Sequence, residues 1–213
     1  KPVNKKMRKK KEAPLTTLDA YLPPGTYFSV MQYLQHYKVH LTITRERRSV
    51  LGDYRFAVHG KNHRISVNGN LNSFAFLITL LHELAHLIAF EKYGNRIVSH
   101  GREWKYVYGE ILRQFLLLNV FPEDIASEIQ TTMANPAAGS CAEDGLLRVL
   151  RKYDQKRDEK KLVEEIELNG SFSTDDGRVF RRGDQLRKRI RCLEIKTGKT
   201  YLFSPVYEVT PVF

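Results

Sequence analysis

Residues 82–86 read HELAH, a pattern whose residue types and spacing suit metal chemistry. On a helix, side chains four residues apart lie on one face, so His82 and His86 can direct their imidazoles at one point. Glu83 is rotated to the side, where its carboxylate can reach a water molecule without binding the metal. This is the arrangement of a helix that holds zinc in a hydrolytic site. The motif therefore predicts a zinc site in which Glu83 acts as the general base.

The residues around the motif favour a metal over an ordinary apolar helix. Residues 76–90 read FLITLLHELAHLIAF, so the two histidines and the glutamate lie in an apolar run. Burying these groups without partners would be costly. In the alternative interpretation, the histidines face solvent or form hydrogen bonds within the core. A bound metal ion removes the cost directly.

A catalytic zinc ion takes three protein ligands, so a third residue is needed. One class of zinc peptidases has a Gly three residues and a His six residues after the second His. Those positions are Ala89 and Lys92 here, which excludes that class. His100 is the favoured third ligand, since a helix-loop-helix hairpin can return it to the first helix; Glu103 or Glu110 is the alternative. The histidines without such spacing are expected in strands or at the surface: His36, His40, His59 and His63.

Hydrophobic periodicity predicts the elements that position these residues. A long helix over 72–93 carries the motif, with Ser73 as its N-cap and Gly94 just past its end. Further helices are predicted over 28–37, 101–118, 121–133 and 145–153. Short strands are predicted at 38–44, 54–59, 64–68, 162–168, 178–182, 187–195, 200–203 and 206–209. The fold class is therefore α+β: a short antiparallel sheet with active-site helices, followed by a small C-terminal antiparallel β extension.

The segment HELAHLIAFEKYGNRIVSHGREWK, residues 82–105, resembles the active-site segment of the SprT-like metalloprotease family, to which the Spartan proteases belong. LGDYRFAVHGKNHRISVNGNLN, residues 51–72, is similar to the family's strands before the motif. The resemblance implies a zincin-like domain with zinc ligands His82, His86 and His100 and with Glu83 as general base. It also implies peptide hydrolysis, and for Spartan-type members it implies substrates that are bound or crosslinked to DNA.

The C-terminal region departs from the family pattern. Many SprT-like proteins carry a zinc ribbon with paired cysteines there, and RIRCLEIKTGKTYLF, residues 189–203, resembles half of one. Cys192 is present, but Ile195 stands where a second Cys is expected, and Cys141 is distant in sequence. We therefore expect one catalytic zinc and no ribbon metal, a β region held by apolar contacts, and two ordinary buried or free thiols.

The chain carries 35 Lys and Arg against 24 Asp and Glu, a formal net charge of +11. Such an excess favours a polyanionic partner such as DNA. Outside the first eleven residues, the charge concentrates in RERR, 45–48, and RRGDQLRKRIR, 181–191. Phe180 and Tyr201 could offer a stacking ring to a DNA strand, or they could pack in the core. The candidate nucleic-acid contacts are Arg45, Arg47, Arg48, Arg181, Arg182, Arg187, Lys188, Arg189 and Arg191.

Three segments are expected: a basic disordered arm at 1–13, a metalloprotease domain at 14–135, and a helix with a small β subdomain at 136–213. No run approaches the roughly 18 apolar residues of a membrane span, and the two cysteines suit a reducing compartment. These features predict a cytoplasmic, nucleoid-associated or nuclear protein with no membrane partner, and they leave its oligomeric state open. The predicted function is that of a zinc-dependent endopeptidase acting on DNA-associated or DNA-crosslinked proteins. The alternatives are a zinc peptidase with a substrate unrelated to DNA, and a DNA-binding module with a non-catalytic zinc site.

Overall fold

The computed structural model describes residues 15–47, 49–57, 62–154 and 160–212. The chain divides into two compact units, residues 1–141 and 142–213. The predicted basic arm at 1–13 lies outside the described residues, as do Arg48 and His59. The predicted domain limits, 14–135 and 136–213, stay a prediction.

The first unit combines helices with a three-stranded sheet. Its first described element is a 3-10 helix, Leu15–Tyr21. The elements that follow are α1 Tyr27–His36, β1 His40–Thr44, β2 Gly52–Arg55, β3 Arg64–Asn68, α2 Ser73–Tyr93, α3 Arg102–Leu117 and α4 Glu123–Thr132.

The sheet of this unit has the order β1-β3-β2. β2 pairs with β3 in antiparallel fashion, with Gly52 opposite Val67, in agreement with the predicted antiparallel sheet. β1 pairs with β3 in parallel, with His40 opposite Arg64, so the sheet is mixed and the prediction was wrong for β1. Local alternation indicates which residues form strands, but the direction of pairing depends on where the connections run.

Helix α2 forms the core of the first unit. Its N-cap is Asn72, not the predicted Ser73, because the Asn72 side chain accepts a hydrogen bond from the Ala75 N–H at 2.9 Å. The helix ends at Tyr93, and the next residue, Gly94, has a φ of 77°, in the left-handed region that favours glycine. The expectation that no apolar run approaches a membrane span was wrong: among the described residues, α2 is the one helix long and apolar enough to cross a membrane, although 72% of its apolar window is buried inside the protein. It is a core helix that is apolar on nearly all sides.

The second unit is a helix followed by a six-stranded antiparallel sheet, as the predicted C-terminal β extension required. The strand order is β4-β9-β5-β6-β7-β8. The elements are α5 Asp144–Arg151, β4 Lys161–Leu162, β5 Ser171–Ser173, β6 Val179–Gln185, β7 Ile190–Glu194, β8 Thr200–Phe203 and β9 Glu208–Val212. The strand predicted at 162–168 is mostly wrong: a 3-10 turn, Val163–Glu165, follows β4 because the Glu165 carboxylate accepts the Leu162 N–H at 2.7 Å.

The core of the second unit is apolar, as expected for a β region held without a ribbon metal. Tyr201 and Phe203 pack against it. Cys141 and Cys192 are both buried thiols, which agrees with the prediction of ordinary buried or free thiols. The core residues are Val163, Ile166, Phe172, Phe180, Ile190, Cys192 and Val209.

Candidate metal centre

Three histidine side chains converge between α2 and the turn that precedes α3. The His86 and His100 Nε2 atoms lie 2.9 Å apart, and the His100 and His82 Nε2 atoms lie 3.2 Å apart. A tetrahedral zinc ion with Zn–N distances of about 2.0–2.1 Å holds its nitrogens ~3.3 Å apart. This three-imidazole donor set therefore fits a zinc ion, and the three residues could hold one.

The protonation of the cluster also suits a metal. Burial, together with the neighbouring imidazoles, lowers the pKa of His82 to about 3, and burial and His100 lower that of His86 to about 4. Burial and the charge of Lys105 lower the pKa of His100 as well. Neutral imidazoles are the form that binds a metal ion. Because the Nε2 atoms face one another, their lone pairs can share a cation.

His100 owes its position to a tight turn. Its φ of 58° lies in the left-handed region, which is uncommon for a residue other than glycine. The Gly101 N–H donates to the Val98 carbonyl at 2.8 Å, and a Cβ on Gly101 would lie only 2.8 Å from that same oxygen. The Ser99 hydroxyl lies 3.3 Å from His100 Nδ1, where it can fix the ring orientation. The turn thus aims the imidazole back at α2.

Trp104 forms the floor of the cluster. It is buried, and its ring centroid lies 4.7, 5.2 and 4.6 Å from those of His82, His86 and His100. Tyr108 packs edge-on against His82, at 5.4 Å between centroids. The three histidines therefore rest on aromatic side chains of α3, which restrict their rotation.

Glu83 lies beside the cluster with 5% of its surface exposed. Burial, aided by Asp53, raises the pKa of its carboxyl to about 8, while Arg47 and the Tyr54 N–H, which donates to it, act in the opposite direction. A Cβ on Gly52 would lie 2.6 Å from Glu83 Oε1, so the β2 backbone packs directly on the carboxylate. Gly52 is a site residue that sequence reasoning missed, because LGD at 51–53 has the composition of an ordinary turn.

The structure distinguishes His100 from the alternative third ligands. The group of described residues that could hold a metal consists of His82, His86 and His100 and does not include Glu103 or Glu110. Glu110 instead pairs with Arg113.

The other described histidines lie outside the cluster, as expected, but the expected surface or strand position was wrong for His63, which is buried and precedes β3. His36 and His40 are exposed. His63 is buried between the Tyr54 hydroxyl, 3.0 Å from its Nδ1, and Glu91, 3.2 Å from its Nε2. These partners account for His63 without a metal ion.

The cluster and Glu83 line a cleft of about 690 Å³. One side is formed by residues 49–54, which include the start of β2, the outer strand of its sheet. A strand at the edge of a sheet has one row of backbone groups that no neighbouring strand pairs. An extended peptide could therefore lie along β2 and cross the histidines.

The predicted nucleic-acid contacts occupy different environments. Arg45 is exposed, whereas the Arg47 guanidinium donates to the Asn68 and Ser66 side chains at 2.8 and 3.0 Å. Arg182 is half-buried, and its Nε has no hydrogen-bond partner among the described residues. The predicted contacts that are exposed in the second unit are Arg181, Arg187, Lys188, Arg189 and Arg191.

The aromatic rings beside this basic segment are core residues. Phe180 is fully buried, and Tyr201 packs against the core with its ring edge-on to Phe180 at 5.4 Å. The interpretation in which one of them offers a stacking ring to DNA is wrong for Phe180, since alternation along β6 turns that residue inward.

A family model described as the SprT-like family matches residues 27–134, more than half of the chain. Neither the curated proteins nor the solved structures contain a match to this chain. The matched residues include the three histidines, Glu83, Gly52 and the floor residue Trp104.

Proposed function

Because the chain belongs to the SprT-like family, we propose that it is a zinc-dependent endopeptidase. One observation carries the proposal: three imidazole Nε2 atoms converge beside a buried carboxylate in a single cleft. A purely structural zinc site has no need of an unliganded carboxylate next to it. The convergence therefore favours catalysis over a structural role for the metal.

In the proposed mechanism, His82, His86 and His100 would hold the zinc ion. When bound, the ion would supply Lewis acidity, lowering the pKa of a water molecule and polarising the scissile carbonyl. Glu83 takes a proton from the water molecule whose oxygen attacks the carbonyl carbon. The C–N bond then breaks, and Glu83 returns the proton to the leaving nitrogen. The Tyr54 N–H and the close backbone of Gly52 keep the carboxylate in place for both transfers.

We further propose that the substrates are proteins bound or crosslinked to DNA, and that the reaction takes place in the cytoplasm, at the nucleoid or in the nucleus. The support is the net charge of +11 and the exposed cations between β6 and β7 and on β7, including Arg187, Lys188 and Arg191. Cations placed along phosphates release counterions, so binding that uses them weakens steeply with salt. Arg47 contributes less to this argument, because its guanidinium is hydrogen-bonded to β3.

The test is cleavage of a basic DNA-binding protein by the zinc-loaded full chain, with and without DNA, before and after chelation. Cleavage that needs both zinc and DNA is the expected result. Cleavage that needs zinc but is indifferent to DNA would support a zinc peptidase with an unrelated substrate. Binding of zinc and salt-sensitive binding of DNA without any cleavage would instead identify a DNA-binding module.

A further inference from the structure

The part of the cleft beyond His86 has an aromatic wall that the proposed chemistry does not use. Phe90 lies one helical turn after His86 on α2, and Phe56 lies two residues after Tyr54, just past β2. The two phenyl rings stack, with centroids 5.2 Å apart and planes 17° apart. The Tyr54 and His86 rings are also parallel, at 6.5 Å. The Tyr54–His86 pair is therefore followed by the Phe56–Phe90 pair, which lies further along α2 and the chain past β2, away from the three histidines.

The segment that leads from α2 to His100 completes this wall. Ile97 and Val98 line the same cleft as Phe56 and Phe90. Val98 is 73% exposed and Phe56 is 49% exposed, so both keep apolar surface in water. Single exposed apolar residues are common on proteins. A set of them that lines one cleft next to polar site residues is typical of a surface that buries a ligand.

The charges of the cleft indicate what kind of ligand group the wall suits. Among the described residues, no Lys or Arg lines the cleft, and its carboxylates are Asp53 and Glu83. A charged substrate side chain at the wall would lose its water without gaining a partner. A phenyl or branched aliphatic side chain would instead bury apolar surface against Phe56 and Phe90.

We propose that Phe56, Phe90, Ile97 and Val98 bind a large apolar side chain of the substrate, one or two residues from the scissile bond. Phe90 is about 6 Å along the helix axis from His86, and an extended peptide advances ~3.3 Å per residue. The inference rests on the proposed function, because it requires that the peptide cross the histidine cluster. It names the substrates as segments that expose Phe, Tyr, Leu or Met, which folded proteins usually bury.

Binding is measured apart from cleavage, with the zinc-loaded full chain carrying Glu83→Gln. The probes are fluorescein-labelled peptides of Gly, Ser and Ala that differ at one position, which is Phe, Leu, Ala or Asp. The Phe peptide is expected to bind about tenfold more tightly than the Ala peptide, as apolar pockets discriminate. Equal affinity for the Phe and Ala peptides would overturn the inference.

Two further substitutions locate the effect. Adding either Phe56→Ala or Val98→Asp to the Glu83→Gln chain is expected to abolish the preference for Phe. Both substitutions are tested, so that the result does not depend on one variant that fails to fold. The matched control is Phe28→Ala, since Phe28 is 80% exposed on α1 and does not line the cleft. A preference for Phe that survives both cleft substitutions would also overturn the inference.

The zinc-loaded wild-type chain is then given the same peptides in the presence of DNA, and its products are mapped by mass spectrometry. Cuts one or two residues from Phe support the wall as a specificity site. Cuts at positions unrelated to Phe would overturn the inference but would still support the proposed peptidase function. If no peptide is cut while the Phe preference in binding persists, the proposed function fails and the apolar binding site is supported.

Discussion

The two units of the chain use their interiors differently. In the first unit, His82 and Glu83 are buried within an apolar helix, and their ionisation is shifted by that burial. In the second unit, the core cluster consists of side chains such as Phe172, Phe180 and Ile190, and nothing in it ionises at neutral pH. Burying ionisable groups is unfavourable without partners. The first unit therefore gives up stability to keep reactive groups in place, whereas the core cluster of the second unit is held by apolar packing.

The largest effect expected is on turnover, from a change at the buried carboxylate. Glu83→Gln keeps the size of the side chain but removes the proton acceptor, so kcat should fall by about 10²–10⁴-fold. Zinc content, measured by elemental analysis, should be unchanged, because Glu83 is not a ligand. The control is Glu110→Gln, a glutamate on α3 outside the cluster. Loss of zinc in the Glu110 variant would reverse our assignment of the third ligand.

The next effect is confined to the second unit. Phe180→Ala should lower its free energy of unfolding by about 3–5 kcal/mol, since Phe180 is fully buried. Leu193→Ala, at a 42% exposed position on β7, should change it by less than about 0.5 kcal/mol. Hydrogen exchange resolves the two units and gives both values. A similar loss of unfolding free energy in the two variants would mean that the apolar core does not stabilise this unit.

Metal removal should affect the first unit alone. At a free zinc concentration a hundred times its Kd, binding stabilises the folded state by about 2.7 kcal/mol. Chelation should therefore reduce the hydrogen-exchange protection of α2 and α3 by that amount and leave β6 and β7 unchanged. Loss of protection in β6 and β7 would indicate a second metal site, contrary to the absence of paired cysteines.

The smallest effect is expected from Gly52→Ala, which tests whether β2 positions Glu83 without affecting the binding of zinc by the histidines. In Gly52→Ala, the new Cβ would lie 2.6 Å from Glu83 Oε1 and 2.8 Å from Thr79 Cγ2, so β2 or the carboxylate must move. Overpacking of this kind costs about 1–3 kcal/mol. We expect kcat to fall while the affinity for zinc, measured by competition with a chelating dye, stays the same. A weaker zinc affinity would show that β2 supports the ligands as well as the base.

The sequence predicted the convergence of the three histidines because the information for it is local. The spacing of His82 and His86 places them on one helical face, and the turn after Gly94 returns His100 to that helix. The capping residue was displaced by one position, from Ser73 to Asn72, because both residue types can cap a helix and only the hydrogen bond to Ala75 distinguishes them.

The features that sequence missed depend on contacts between distant segments. The parallel pairing of β1 with β3, the packing of Gly52 on Glu83 and the hydrogen bonds from Arg47 to Ser66 and Asn68 all join separate elements. No local pattern distinguishes an arginine that faces solvent from one that holds a loop against a strand. The orientation of Phe180 was left open for the same reason, since period-2 alternation does not say which face of a sheet is covered.

The placement of all three histidines within residues 82–100 has a consequence for how the protein folds. Contacts between residues close in sequence form quickly, whereas pairings between distant segments form slowly. The α2–α3 hairpin can therefore assemble the metal ligands before β2 docks, and pulse-labelled hydrogen exchange during refolding with zinc should protect α2 before β3. Because β2 supplies the contacts that hold Glu83, a newly made chain would bring its three histidines together first and fix the carboxylate beside them only when the sheet is complete.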